Sequence, residues 1–272
     1  MAMSTFDQSD GYGRALLVAV GLTVAGIIAQ QLTVIPALAL DPRVATDPQA
    51  VSRPVTAVFL MLSFVGFYLA GALYLWWSER GWGFIDIAMP TKRDLGIAVA
   101  AFLIAYAAVI LVNLLTTPLE IDTPENQVMD FIGTDPTMVL IMIGIVFFFN
   151  APAEEFLFRG VIQKRLYDAF SKRNAVVITT VIFTLVHVPV YFVAGATSIA
   201  GVSVVMAALF IGSIVFGYSY VMTDNLVVPT LAHAFFNAIQ FMLLYLVLVY
   251  GSEEDIDAVT SAVLEVMPAL GL

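Results

Sequence analysis

The sequence predicts an all-α fold: a polytopic transmembrane bundle of about seven to eight helices around an intramembrane polar cavity. Three observations lead there. Of 272 residues, 61% are hydrophobic and only 12% are charged, against roughly 25% charged in soluble domains, and the mean hydropathy is +0.96. The apolar residues are gathered in blocks of about 20, the length that crosses a hydrocarbon core about 30 Å thick. A few ionisable side chains nevertheless sit inside those blocks, where an unpaired polar group costs several kcal/mol; they must share an interior cavity.

The blocks fall at 15–39, 54–77, 95–115, 136–160, 174–194, 198–221 and 226–250, separated by polar punctuation. Asp135 and Pro136 suit an N-cap and first helical position, so the fourth helix starts there. Pro152 removes a donor within it and is expected to kink or restart that helix. "SERGWGFIDIAMPTKRDLG" mixes tryptophan, charge and proline and reads as an interfacial connector. The stretch "DAVTSAVLEVMPALGL" is too short to span and is expected to be an interfacial or partial helix. This divides the chain into a polar N-terminus (1–14), N-terminal transmembrane helices (15–130), a polar-residue-bearing core (131–250) and an acidic tail (251–272).

Basic residues orient the bundle. Arg14, Arg80, Lys92, Arg93, Lys164, Arg165, Lys172 and Arg173 all fall on one side of a seven-span arrangement, with Arg43 and Arg53 as exceptions. The positive-inside rule then makes that side, and the N-terminus, cytoplasmic. A net charge of −10 comes from acidic loops and ends, which argues against a nucleic-acid partner. The absence of cysteine excludes disulfides, thiolate metal sites and a cysteine nucleophile.

Within the blocks, "NAPAEEFLFRG" (150–160) carries Glu154, Glu155 and Arg159. Glu155 and Arg159 are four apart and can pair on one helix face, while Glu154 points about 100° away. Both histidines of the chain, His187 and His233, lie in apolar helices, and Asn237 follows His233 by one turn. A carboxylate, two imidazoles and an amide in one cavity can activate a water and stabilise an oxyanion. Each taken singly is equally a packing or capping residue; buried glutamate and histidine also suit a proton pathway. Sequence patterns for other hydrolases are missing: there is no H-E-x-x-H and no G-x-S-x-G.

"EEFLFRG" (154–160), "FTLVH" (183–187) and "HAFFN" (233–237) resemble, in order, the three motifs E-E-x-x-x-R, F-x-x-x-H and H-x-x-x-N of the CAAX prenyl protease and bacteriocin-processing family, the type II CAAX prenyl endopeptidases. The likeness covers residues 135–245. It implies a multi-pass cell-membrane endopeptidase with its site open toward the cytoplasm, acting on a membrane-associated peptide or lipidated (CAAX-type) protein. It also implies roles: Glu154 as general base with His187 assisting, His233 and Asn237 lining an oxyanion hole, and Glu155, Arg159 and Phe183 as supporting residues. No cofactor is expected; the alternative is zinc or another divalent metal on Glu154, His187 and His233, a set with an open fourth position. A non-catalytic scaffold or immunity-type protein of the same fold is the other reading of the resemblance.

Overall fold

The computed structural model describes residues 11–121, 124, 128–193 and 196–252. Residues 1–10 of the expected polar N-terminus, and the C-terminal stretch 253–272 with its expected partial helix, lie outside the described residues. No strand occurs among the described residues, and seven of their helices are long and apolar enough to cross a bilayer. They are α1 (Tyr12–Leu40), α2 (Arg53–Trp77), α3 (Lys92–Leu119), α4 (Pro136–Leu166), α5 (Lys172–Phe192), α6 (Ile199–Thr223) and α7 (Val227–Tyr250). Each covers one of the seven apolar blocks. The chain is a multi-pass membrane protein.

Local chemistry sets several ends. Thr91 and Asp94 exchange side-chain and backbone hydrogen bonds in a capping box that starts α3. Asp135 caps α4 by accepting from Thr137 N–H, with Pro136 at the first position. α1 breaks at Val34, where Pro36 enters the second turn and cannot donate to the preceding one.

α4 is the centre of the bundle. α1, α2, α5, α6 and α7 all pack on it, while α3 lies outside, against α6 and α7. All eight residues from Phe156 to Gln163 are buried, as a helix surrounded on every side requires. Small residues let the neighbours in. A Cβ on Gly66 of α2 would lie 2.2 Å from the Gln30 backbone nitrogen of α1, so the two helices touch backbone to backbone.

The fourth helix departs from expectation in two ways. It does not restart at Pro152 but stays helical from Pro136 to Leu166, passing through wider π turns at Val146–Asn150 and Phe156–Gln163. A π turn ahead of the proline moves aside the carbonyl its ring would strike and leaves no donor missing from an α ladder. The helix also extends past the expected end at 160. Glu154 therefore lies several turns from the end at Leu166 rather than beside it.

The basic residues gather at one end. There the connector between α2 and α3 is tied down: Asp86 accepts from Lys164 Nζ and from the Tyr220 hydroxyl, each at 2.6 Å. Leu226 N–H donates to the Asp86 carbonyl at 2.7 Å, and the Asn225 amide donates to the Ala88 carbonyl at 3.1 Å. Arg80 pairs with Asp168, and Lys172 with Asp224. At the opposite end Arg53 pairs with Asp135, which holds that carboxyl below the usual carboxylate range.

Candidate functional site

Helices α4, α5, α6 and α7 bring every polar residue singled out in the sequence into one buried region. Glu154, Glu155, Arg159, His187, His233 and Asn237 are all nearly inaccessible. Glu155 and Arg159 pair across one turn at 3.1 Å, an ion pair by distance without hydrogen-bond alignment. Arg159 is held further by Ser213 of α6: its second terminal nitrogen donates to Ser213 Oγ at 2.9 Å and to the Ser213 carbonyl at 3.2 Å.

His233 of α7 bridges the two glutamates. Its Nδ1 lies 2.9 Å from Glu155 Oε1, and its Nε2 lies 3.9 Å from Glu154 Oε2, beyond hydrogen-bond reach. Phe216 stacks on the ring, with centroids 5.0 Å apart. Because Glu155 serves both Arg159 and His233, it joins α4 to α7 as well as bracing its own helix.

The spacing F-x-x-x-H has a direct physical account. His187 Nδ1 sits 2.6 Å from the Phe183 carbonyl one turn earlier. A carbonyl only accepts, so Nδ1 carries the proton and a neutral ring keeps its Nε2 lone pair free. The Phe183 ring lies between two of the polar groups: the His187 ring is 4.7 Å away and the Arg159 guanidinium 5.0 Å.

Asn150 is the residue that motif reading missed. Its Nδ2 donates to Glu154 Oε1 at 2.7 Å, and its Oδ1 accepts from Asn237 Nδ2 at 2.8 Å. Asn150 thus ties the α4 carboxylate to the α7 amide, and it is buried. The signal was present, since Asn150 precedes Glu154 by four residues, the spacing of facing helix neighbours.

Glu154 and His187 line a common cavity of about 170 Å³, walled otherwise by apolar side chains such as Phe67, Phe158 and Phe183. Gln30 and Gln31 of α1 also line it. His233 and Asn237 do not; they meet Glu154 from α7, the first at 3.9 Å and the second through Asn150.

Residues 136–239 match the family model for type II CAAX prenyl endopeptidase Rce1-like. The chain carries an Rce1-like domain. The match begins with α4, ends inside α7, and contains Asn150, Ser213 and all three motifs. No curated protein and no solved structure matches the chain. That family is described as one of CAAX prenyl endopeptidases, and the match covers the half of the bundle that carries the three motifs. Helices α1–α3, with the two glutamines on the cavity, lie outside the Rce1-like segment.

Among the described residues no three His, Asp or Glu side chains converge closely enough to hold a metal ion. Glu154 and His233 approach each other, but each is engaged: Glu154 with Asn150, and His233 with Glu155. The set Glu154, His187 and His233 does not fit a metal as the side chains stand.

Proposed function

We propose that the protein is an intramembrane endopeptidase in which Glu154 and His187 activate a water against a peptide bond of a membrane-associated or prenylated substrate. The observation that carries this reading is the shared cavity. A carboxylate and an imidazole line the same cavity, each already oriented by a hydrogen bond to a group of its own helix. The remaining walls are largely apolar, so charge developed there is poorly screened and strongly felt.

The chemistry follows from the free lone pairs. Glu154 Oε2 is the oxygen not engaged by Asn150, and it takes a proton from a water placed between it and His187 Nε2. The resulting hydroxide adds to the scissile carbonyl carbon. The proton then passes to the amide nitrogen as the C–N bond breaks, giving a carboxylic acid and an amine. General acid–base help of this kind is worth about 10²–10⁴-fold.

The oxyanion of the tetrahedral intermediate needs donors. Asn237 Nδ2 has a second hydrogen beyond the one given to Asn150. His233 Nε2 donates only when the ring carries both protons, because Nδ1 already faces Glu155. In this scheme Asn150 and Phe183 act as positioning residues, Asn150 for the base and Phe183 for the tautomer of His187. Glu155 and Arg159 place a balanced pair behind them. The basic end is taken as cytoplasmic by the charge rule, with the substrate's cleaved end reaching the site from that half of the bilayer.

The test is turnover of a fluorogenic farnesylated peptide ending in a CAAX sequence, with purified protein in nanodiscs. Wild-type protein cleaves it and Glu154→Gln does not; a Glu154→Gln variant as fast as wild type would overturn the assignment. Activity that is lost with a chelator and restored by zinc breaks the metal-free scheme while leaving the peptidase reading standing.

A further inference from the structure

The cavity holding Glu154 and His187 has a rim of different character from its floor. The floor is buried: Glu154, His187, Phe158 and Phe183 are all closed off. The rim residues Ile27 and Gln31 of α1 and Pro189 of α5 are exposed on the outer faces of their helices. α1 packs along the length of α2 but makes little contact with α5. The cavity therefore opens sideways, between α1 and α5, into the bilayer.

Gln31 sits at that opening in the wrong solvent. Its neighbours Ile28, Leu32 and Ile35 form an exposed apolar belt, so this stretch of α1 faces hydrocarbon. A carboxamide carries two donors and a carbonyl acceptor, and leaving them unpaired in lipid costs several kcal/mol. Nothing among the described residues bonds the Gln31 side chain.

A partner for it must come from outside the chain, and the chemistry of the reaction read above supplies one. A transmembrane helix already pairs its own backbone groups; a bond can be cut only where that ladder is opened. An extended segment in lipid then carries bare N–H and C=O groups. A glutamine amide, donor and acceptor on one planar group, complements such a backbone on both counts.

We infer that the α1–α5 gap is a lateral substrate entrance, and that Gln31 binds the backbone of an extended peptide segment on its way from the bilayer to Glu154. This rests on the protease reading. It adds a substrate-binding residue from a helix outside the Rce1-like segment.

The experiment uses full-length protein in nanodiscs, with the same farnesylated fluorogenic peptide as probe. In Gln31→Leu the KM rises roughly three- to tenfold, the loss of one net hydrogen bond, while kcat holds, because uniform binding is removed. Gln31→Asn, which keeps the amide, recovers part of the loss. The melting temperature of Gln31→Leu stays at or above that of wild type, since a lipid-facing amide is replaced by an apolar side chain. A KM within twofold of wild type overturns the inference, and so does a rise in KM accompanied by a fall in melting temperature, which marks a structural amide. Wild-type protein that fails to cleave the probe breaks the protease reading itself; wild-type protein that cleaves it, with Gln31→Leu kinetically silent, breaks the entrance alone.

Discussion

Two polar networks fasten α4 to its neighbours, one at the basic end and one inside the bundle, and they obey opposite rules. At the end, Asp86 is tied to Lys164 and to the hydroxyl of the buried Tyr220, and Arg80 meets Asp168, with the charged side chains about a fifth to a third exposed. Water can replace either member of these ion pairs, so each is worth about 0–1 kcal/mol and the pairs register helix ends more than they stabilise them. Inside, Glu155 and Arg159 are 0% and 1% exposed. There no water stands ready, and a partner removed leaves a charge that nothing neutralises. The comparison teaches that the charges of "EEFLFRG" are held for what they place, since burying them stabilises nothing by itself.

That contrast can be broken by mutation, and the largest effect is expected at the proposed base. Glu154→Gln keeps the shape and the acceptor for Asn150 but cannot take a proton. Peptide turnover should fall by about 10²–10⁴-fold, with the melting temperature held within a few degrees; a large thermal loss would make Glu154 a structural member of the inner network. Next comes Arg159→Met. It strands Glu155 in the interior, and a loss of about 3–5 kcal/mol is expected, read as a lower midpoint in chemical or thermal denaturation. The double variant with Glu155→Gln should regain part of it, because both charges are then gone.

Asn150→Ala tests the link between the networks of α4 and α7. It frees the Glu154 carboxylate to swing and should cost about 10- to 100-fold in kcat. It also leaves the Asn237 amide without its partner, at about 1–3 kcal/mol. At the basic end Lys164→Ala should shift stability by no more than about 1 kcal/mol, and less in high salt; a loss as large as that of Arg159→Met would erase the distinction between the two networks.

The smallest effect is one of pH, at the opposite end. Arg53 holds the Asp135 carboxyl below its ordinary value of 3.8. A carboxyl depressed in the folded state adds stability above its unfolded value, and loses it as the pH falls through the folded one. Acid titration of the unfolding midpoint should thus show a fall beginning near pH 4 that is smaller in Asp135→Asn.

Much of this architecture is legible in the sequence, and the reasons for the remainder are physical. Block length and hydropathy suffice for seven spans, because a bilayer sets one length for all of them. Glu155 and Arg159, four apart on one helix, meet as that spacing predicts. Pro152 does not restart the helix, because a π turn can absorb a proline that an α ladder would reject, and no residue pattern announces that turn. The reach of α4 to Leu166 was hidden by Gln163, Lys164 and Arg165, which look like loop but are paired against Gly217, Asp86 and Asp168. Gln30 and Gln31 were passed over because they lie far from the motifs in sequence and outside the segment those motifs define. Only the packing of α1 onto α2 and α4 brings them to the cavity.

That packing turns on Gly66. With a hydrogen where other residues carry a methyl group, it lets α1 settle against α2 backbone to backbone, its would-be Cβ 2.2 Å from the Gln30 nitrogen. An alanine there would push α1 outward by about the width of a methyl group, toward the open side of the bundle. The proposed entrance beside α5 would be reset by a substitution in α2, on a helix that carries none of the motif residues. The width of the proposed entrance is thus set from a remote position, as the jaw of a caliper is set from its screw, with every motif residue left untouched.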